Sequence, residues 1–251
     1  MAKDTAIKKY QKKYDYSYTL GTFPTVELLK KRPKDVIRVL YHGDLDSKEQ
    51  MALLQTLCEK NGIPFVLAER QVEKVRDKNN TFVVGVFRKY DNVLDAEQNH
   101  VAFVNPGDMG NFGTILRTSL AFGVRDVAII EPACDIYNPK VIRASMGAMF
   151  SMRFHYFESF EAYQKAYGDG RRLYPFMLDG SRPLQNYVVP EGLFTLIFGN
   201  EATGLPESFA GIGQSIRIEN TDMVDSLNLS IAAGCGLYAF TAKHMGGMTC
   251  E

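Results

Sequence analysis

The 251 residues carry 29 basic and 29 acidic side chains, for a net charge of zero, with 45% hydrophobic and 23% charged residues. That is the balance of an ordinary globular chain with enough apolar material for a sizeable core. No apolar run reaches the ~18 residues that cross a bilayer, and the basic start is not followed by the apolar stretch of a secretory leader. The four cysteines (Cys58, Cys134, Cys235 and Cys250) are scattered and form no CxxC pair, which argues against a zinc or disulfide framework and for a reducing cytoplasm.

The charge distribution says more than the total. Within residues 1–36, nine basic residues (Lys3, Lys8, Lys9, Lys12, Lys13, Lys30, Lys31, Arg32 and Lys34) face four acidic ones. This is either a solvated helix face or a local attraction for a phosphate backbone on an otherwise neutral chain. In chain order, residues 1–14 read as a lysine-rich helix or arm. The apolar patch around 25–31 ends at Arg32-Pro33, a helix stop. Residues 36–41, 65–67 and 82–87 are β-rich, and 48–61 has helical spacing that closes at Asn61-Gly62. Strand–helix alternation predicts a small α/β unit over 1–95, with the polar stretch 91–98 as the linker. From there to residue 251 the pattern predicts strands at 101–104, 127–130, 154–156, 173–178, 194–198 and 215–218. Helices are predicted at 111–122, 141–149, between 156 and 173, and at 227–243. This is the signature of a parallel sheet with both faces covered.

Three stretches carry chemistry. In Asn105-Pro-Gly-Asp-Met-Gly-Asn-Phe-Gly-Thr-Ile-Leu-Arg117 a strand feeds a glycine turn that opens a helix, where backbone N–H groups attract an anion such as a carboxylate or phosphate. Arg117, two turns in, has the planar fork that suits a phosphate oxygen, or it forms a surface ion pair. Glu131 ends the next strand, as a dinucleotide site would have it. However, Gly107, Gly110 and Gly113 recur at every third residue, which is not G-x-G-x-x-G. In Leu196-Ile-Phe-Gly-Asn-Glu-Ala-Thr-Gly-Leu-Pro206 a buried strand ends in Gly-Asn-Glu, at the edge where ligands of parallel sheets bind. Gly199 admits close backbone approach, and Glu201 is a site carboxylate or a cap. After Ile216-Arg-Ile-Glu comes Asp225-Ser-Leu-Asn-Leu-Ser-Ile-Ala-Ala-Gly234, where Ser226 reads as an N-cap. Asn228 then falls in the first turn, and Ala232, Ala233, Gly234 and Gly236 form a smooth face for a dimer seam or for tight packing within one chain.

Together and in this order, the stretches 111–117, 198–205 and 225–234 resemble the three motifs of the SpoU/TrmH group of SPOUT RNA methyltransferases. The first ninety residues are similar, less distinctly, to an L30e-like substrate-binding domain. The resemblance implies an α/β fold with a small L30e-like domain (1–95) before a SPOUT catalytic domain (96–251) that has a parallel sheet and a C-terminal trefoil knot. It implies S-adenosylmethionine as cofactor, no metal, a cytoplasmic homodimer, and transfer of methyl to a ribose 2'-hydroxyl of RNA, ribosomal rather than transfer RNA. It further implies Asn111, Arg117, Glu201, Ser226 and Asn228 as the catalytic group, and Gly199, Ile218 and Leu227 as the cofactor pocket. A guanidinium holds its proton too firmly to be an easy base, so Arg117 is expected to clamp the phosphate beside the target ribose. Glu201 is expected to hold Arg117 or Asn111, and Ser226 and Asn228 to orient the ribose. An inactive RNA-binding relative of the same fold would show damage to this polar set, and a nucleotide-dependent dehydrogenase would show G-x-G-x-x-G. The sequence has neither feature.

Overall fold

The computed structural model describes residues 7–221 and 223–245, so the expectations for Lys3 and Cys250 lie outside the described residues. The chain divides into two units, residues 1–90 with 135–151 and residues 91–134 with 152–251. This differs from the division expected at 95/96 in two respects: the first unit ends at residue 90, and the segment 135–151 leaves the second unit and packs with the first.

In the first unit, residues 7–15 form no helix. Strand β1 (Tyr16–Leu20) precedes α1 (Thr22–Lys31), β2 (Val36–Tyr41), α2 (Lys48–Lys60), β3 (Phe65–Leu67), α3 (Glu69–Val75) and β4 (Val83–Arg88). The sequence had shown neither β1 nor α3. The strands form one mixed sheet in the order β1-β4-β2-β3. Ser47 caps α2 by accepting from the Gln50 amide, and Lys60 meets the dipole at its other end. Helix α5 (Pro139–Ala144), with the 3-10 turn Ala148–Ser151, packs on this unit. The Ser17 hydroxyl donates to the Tyr137 carbonyl, and Phe150 meets Phe87 edge-on at 5.3 Å. An apolar helix predicted over 141–149 thus breaks into two pieces and serves the other unit's core. Helical periodicity reports a buried face but not which sheet buries it.

The second unit contains β5 (His100–Val104), α4 (Met109–Ala121), β6 (Asp126–Ile130), β7 (Arg153–Phe157), α6 (Phe160–Tyr167), β8 (Arg171–Pro175), β9 (Arg182–Pro183), β10 (Leu193–Phe198), β11 (Ile216–Arg217) and α7 (Leu229–Met245). Five strands make a sheet in the order β7-β6-β5-β10-β8, every pair parallel. Alternation along the strands fills both faces. Ala102, Ala128, Ile130 and Ile197 pack with Phe160 and Tyr163 of α6. Phe103 stacks on Phe198 and meets Phe112 of α4, while Phe240 of α7 meets Tyr174 and Phe194. Part of the small-residue face of α7 closes inside the chain: Ala233 is buried, and a Cβ on Gly236 would come within 2.6 Å of the Phe176 ring. Of the two readings of this face, Ala233 and Gly236 follow tight packing within the chain, while Ala232 and Gly234 stay partly exposed. Among the described residues no helix is long and apolar enough to cross a membrane.

The amino-terminal edge of this sheet buries polar groups in pairs. Asp126, with no exposed side-chain surface, takes two hydrogen bonds from Arg153, at 2.7 and 2.5 Å, and one from the Asp95 amide. His100, equally buried, makes hydrogen bonds with the Asp95 carbonyl through Nε2 and with the Tyr163 hydroxyl through Nδ1. Burial holds its pKa down to about 4; the Asp95 carbonyl raises it, Arg171 and Arg153 lower it, and Asp126 raises it. The folded state therefore resists protonation that the unfolded chain accepts below pH 6.5. Stability contributed by neutral His100 is complete above that pH and is lost as pH falls toward 4. Between pH 7 and pH 5 the loss is about 2 kcal/mol. Urea unfolding at both pH values, on the natural chain and on His100→Gln, is expected to show that this increment disappears in the variant.

Candidate active site

Strands β5 and β10 lie side by side at the centre of the sheet, and their carboxyl ends open on the same edge. From β5 the chain moves outward through β6 to β7, and on the other side of β10 lies β8. The two central loops thus flank a switch in strand order, the usual crevice of an open parallel sheet.

The loop after β5 turns at Asn105, which takes the left-handed conformation (φ 55°) that asparagine tolerates better than most side chains. Asp108 then caps α4 by accepting from the Asn111 amide at 2.7 Å. The loop after β10 reaches across to it. Asn200 donates to the Asn105 carbonyl at 2.8 Å, and Glu201 accepts from the Gly107 and Asp108 amides, each at 3.1 Å. The first motif's amides were expected to receive a ligand anion; at Gly107 and Asp108 the anion is Glu201 of the same chain. This also corrects the partner expected for Glu201. It grips the backbone of the first motif, not the side chains of Arg117 or Asn111. Gly199 is needed because the returning strand passes over it: a Cβ there would lie 2.2 Å from the Gly204 carbonyl carbon.

The third motif begins α7 two residues later than its pattern implied. The cap is Asn228, whose Oδ1 accepts from the Ser230 amide and hydroxyl at 2.8 and 2.6 Å. Its carbonyl receives the Ile231 and Ala232 amides. The other end of the same amide donates to Asn111 Oδ1 at 3.0 Å. Ser226 is not the N-cap; it lies exposed in the preceding loop.

Below these contacts lies a cleft of about 420 Å³ bounded by the loops after β8 and β10 and by the segment from β11 to α7, within the range of small-ligand sites. Gly199, Ile218, Leu227 and Ser226 all line it. Leu178, Leu205 and Ile216 add apolar wall, and Asp179, Glu207 and Asn220 add polar groups. The structure therefore brings together seven of the eight residues singled out from the sequence: Asn111 with Asn228, Glu201 beneath the first motif, and the other four around one cleft. Arg117 stands apart. It is exposed on α4 and makes no hydrogen bond or ion pair among the described residues. Sequence reasoning missed Asp108, Asn200 and Asp179. Asp108 was readable as a cap three residues before Asn111, whereas the reach of Asn200 across to Asn105 spans 95 positions and leaves no local pattern.

Asn228→Ala removes the cap of α7 and the tie to Asn111 together. A loss of about 1 kcal/mol in unfolding free energy is expected for the cap alone. It is measurable by chemical denaturation, with Asn228→Asp restoring the cap but not the donor to Asn111.

The arrangement has known counterparts. A 23S rRNA (adenosine(1067)-2'-O)-methyltransferase of Streptomyces laurentii is 29% identical over 201 residues, covering 76% of this chain and 74% of that protein. A 23S rRNA (guanosine(2553)-2'-O)-methyltransferase of Bacillus subtilis is 27% identical over 140 residues, 52% of this chain and 53% of that protein. The fold matches the SpoU methyltransferase AviRb from Streptomyces viridochromogenes in complex with AdoMet, with a TM-score of 0.78 at 22% identity over 93% of this chain and 92% of that one. It also matches an AdoMet-bound rRNA methyltransferase from Sinorhizobium meliloti, with a TM-score of 0.75 at 24% identity over 92% and 88%. The pattern of the SpoU rRNA methylase family spans residues 98–238, the stretch that builds the parallel sheet, the stapled loops and the cleft, and the chain belongs to that family.

Proposed function

We propose that this chain methylates a ribose 2'-hydroxyl of ribosomal RNA with S-adenosylmethionine, and that it does so as a homodimer. The observation that carries the reading is one cleft lined by the second and third motifs, to which the first is tied through the Glu201 grip on Gly107 and Asp108 and the Asn228–Asn111 bond. The cleft fits the cofactor by its chemistry. Ile218, Leu227, Leu178 and Leu205 offer apolar faces to a flat adenine, and Asp179 and Glu207 offer negative charge to a ligand that carries a sulfonium and an ammonium. The ribosomal substrate follows the named activities of the curated relatives.

The cofactor supplies an activated methyl on a positively charged sulfur. The chain's own task is to present an oxygen nucleophile in line and to let its proton leave. Asn111 and Asn228, held to one another, present fixed amide groups to the ribose. Ser226, exposed and lining the cleft, is available to it as well. Arg117, exposed on the helix of the first motif, has no hydrogen bond or ion pair among the described residues. It serves as the clamp on the phosphate next to the target ribose, and that phosphate or a neighbouring side chain takes the proton. The trefoil knot belongs to this reading as well. The chain leaves β10, doubles back over Gly199 and then supplies Ile218 and Leu227 to the same cleft, so that cofactor and knot coincide.

The dimer is supported by the outward face of α7. Ile231, Cys235 and Tyr238 recur at helical spacing, with Ile231 56% and Tyr238 62% exposed, and Phe122, the residue that ends α4, extends the patch beside Tyr238. An apolar row of this kind is costly to leave in water, and a second copy covers it. The basic residues of the first unit are assigned to choosing the RNA.

Two outcomes are expected. Calorimetry detects S-adenosylmethionine binding, and Arg117→Ala keeps that binding while turnover on ribosomal RNA falls by about a hundredfold or more; near-normal turnover in that variant sinks the clamp. Tyr238→Glu shifts the sedimenting species from dimer to monomer, and a natural chain that sediments as a monomer at micromolar concentration removes the dimer from the reading.

A further inference from the structure

Residues 8–18 read Lys-Lys-Tyr-Gln-Lys-Lys-Tyr-Asp-Tyr-Ser-Tyr, so that four lysines and four tyrosines interleave around one acid. The structure divides the tyrosines by task. Tyr10 donates to Asp135 and packs against the Lys89 ammonium. Tyr18 is buried and donates to the Lys8 carbonyl at 2.7 Å. The Lys89 amide donates to the Asp15 carbonyl at 2.8 Å, and its ammonium to the Lys12 carbonyl at 2.7 Å. These bonds fix an irregular segment against the sheet of the first unit while Lys8, Lys9, Lys12 and Lys13 remain exposed.

Tyr16, half-buried, packs on the core of this unit and against the Tyr18 ring, 5.6 Å away, and half-buried Tyr14 stacks on Tyr16 at 5.2 Å with 12° between planes. Opposite Tyr16 in the β1–β4 register stands Arg88. It shares the sheet face with Tyr16 because directly paired residues point the same way. Arg88 is exposed and makes no hydrogen bond or ion pair among the described residues. The surface thus combines a stacked aromatic pair with exposed cations from the same segment and from β4, on a backbone held in place before any ligand arrives, which lowers the ordering cost of binding.

We propose that this face binds an unpaired stretch of RNA, its phosphates on the exposed lysines and Arg88 and one base stacked on the Tyr14–Tyr16 pair. The inference rests on the RNA-substrate reading above and goes beyond it in naming the surface and the form of RNA. A duplex keeps its base faces inside and offers only phosphates, whereas an unpaired loop offers both phosphate and base to stack. An anionic lipid surface would engage the lysines but would gain little from two parallel rings.

The test uses the full chain and a fluorescent, roughly 12-nucleotide RNA of mixed sequence without self-complementarity. Its affinity is read by anisotropy against a duplex of the same length and against phosphatidylserine vesicles. Tyr14→Ala is expected to weaken binding of the unpaired RNA about tenfold, and Tyr14→Phe to retain it. Changing Lys12 and Lys13 to Gln lowers the slope of log affinity against log salt by about 1.4. S-adenosylmethionine binding, measured by calorimetry on the same preparations, stays unchanged. Unaltered RNA affinity in Tyr14→Ala, or tighter binding of the duplex or the vesicles, overturns the proposal while normal cofactor binding leaves the methyltransferase reading intact. A natural chain that binds neither RNA nor cofactor overturns both.

Discussion

The second unit depends on one carboxylate. Glu201 ends the central strand β10 and takes the Gly107 and Asp108 amides of the neighbouring loop. Amides at the start of a helix have no intrahelical acceptor and attract negative charge from whatever is near. Because β5 and β10 are parallel neighbours, their loops emerge together and the anion can come from the adjacent strand. Once Glu201 fills that role, the start of α4 is fixed, Asn111 is fixed with it, and Asn228 can meet Asn111 from a third segment. Three stretches far apart in the chain therefore share one geometry that none of them could hold alone.

The two edges of the parallel sheet use polar groups in opposite ways. At the amino-terminal edge, Asp126, Arg153, His100 and Tyr163 are occupied with one another, and burial keeps His100 neutral. Such a set adds rigidity because every burial cost is offset by a specific partner. At the carboxyl edge the Glu201 grip, the Asn200–Asn105 and Asn228–Asn111 bonds and the Asp108 and Asn228 caps are closed. Ser226 is left exposed beside the cleft and Arg117 on the surface, and a catalytic unit needs polar groups whose partner is the substrate. The fold thus spends its satisfied pairs on the frame and leaves the remaining donors for chemistry.

The first unit borrows from the second stretch of chain. Residues 135–151 leave the run of catalytic strands between β6 and β7 to lay Tyr137, α5 and Phe150 against β1 and β4. Ser17 and Phe87 are paired in register and point to one face of the sheet, which this segment covers; Tyr16 and Tyr18 alternate with Ser17 and lie on the other face.

Much was determined by the sequence itself. Runs such as Val36–Tyr41 and Leu193–Phe198 are largely apolar over a length that suits a strand, and the order of the three polar motifs is by itself characteristic of the family. Most of the strands and the parallel sheet of the second unit follow from such local signals. The tertiary structure decided what depends on partners distant in sequence. It set Glu201 on backbone amides, moved the cap of α7 from Ser226 to Asn228, turned Ala233 and Gly236 of α7 inward and sent residues 135–151 to the first unit. Each outcome rests on an atom supplied from elsewhere in the chain or on competition between adjacent polar residues for one helix end. A sequence pattern records which residue types stand ready for such contacts, and only the assembled fold chooses among the partners.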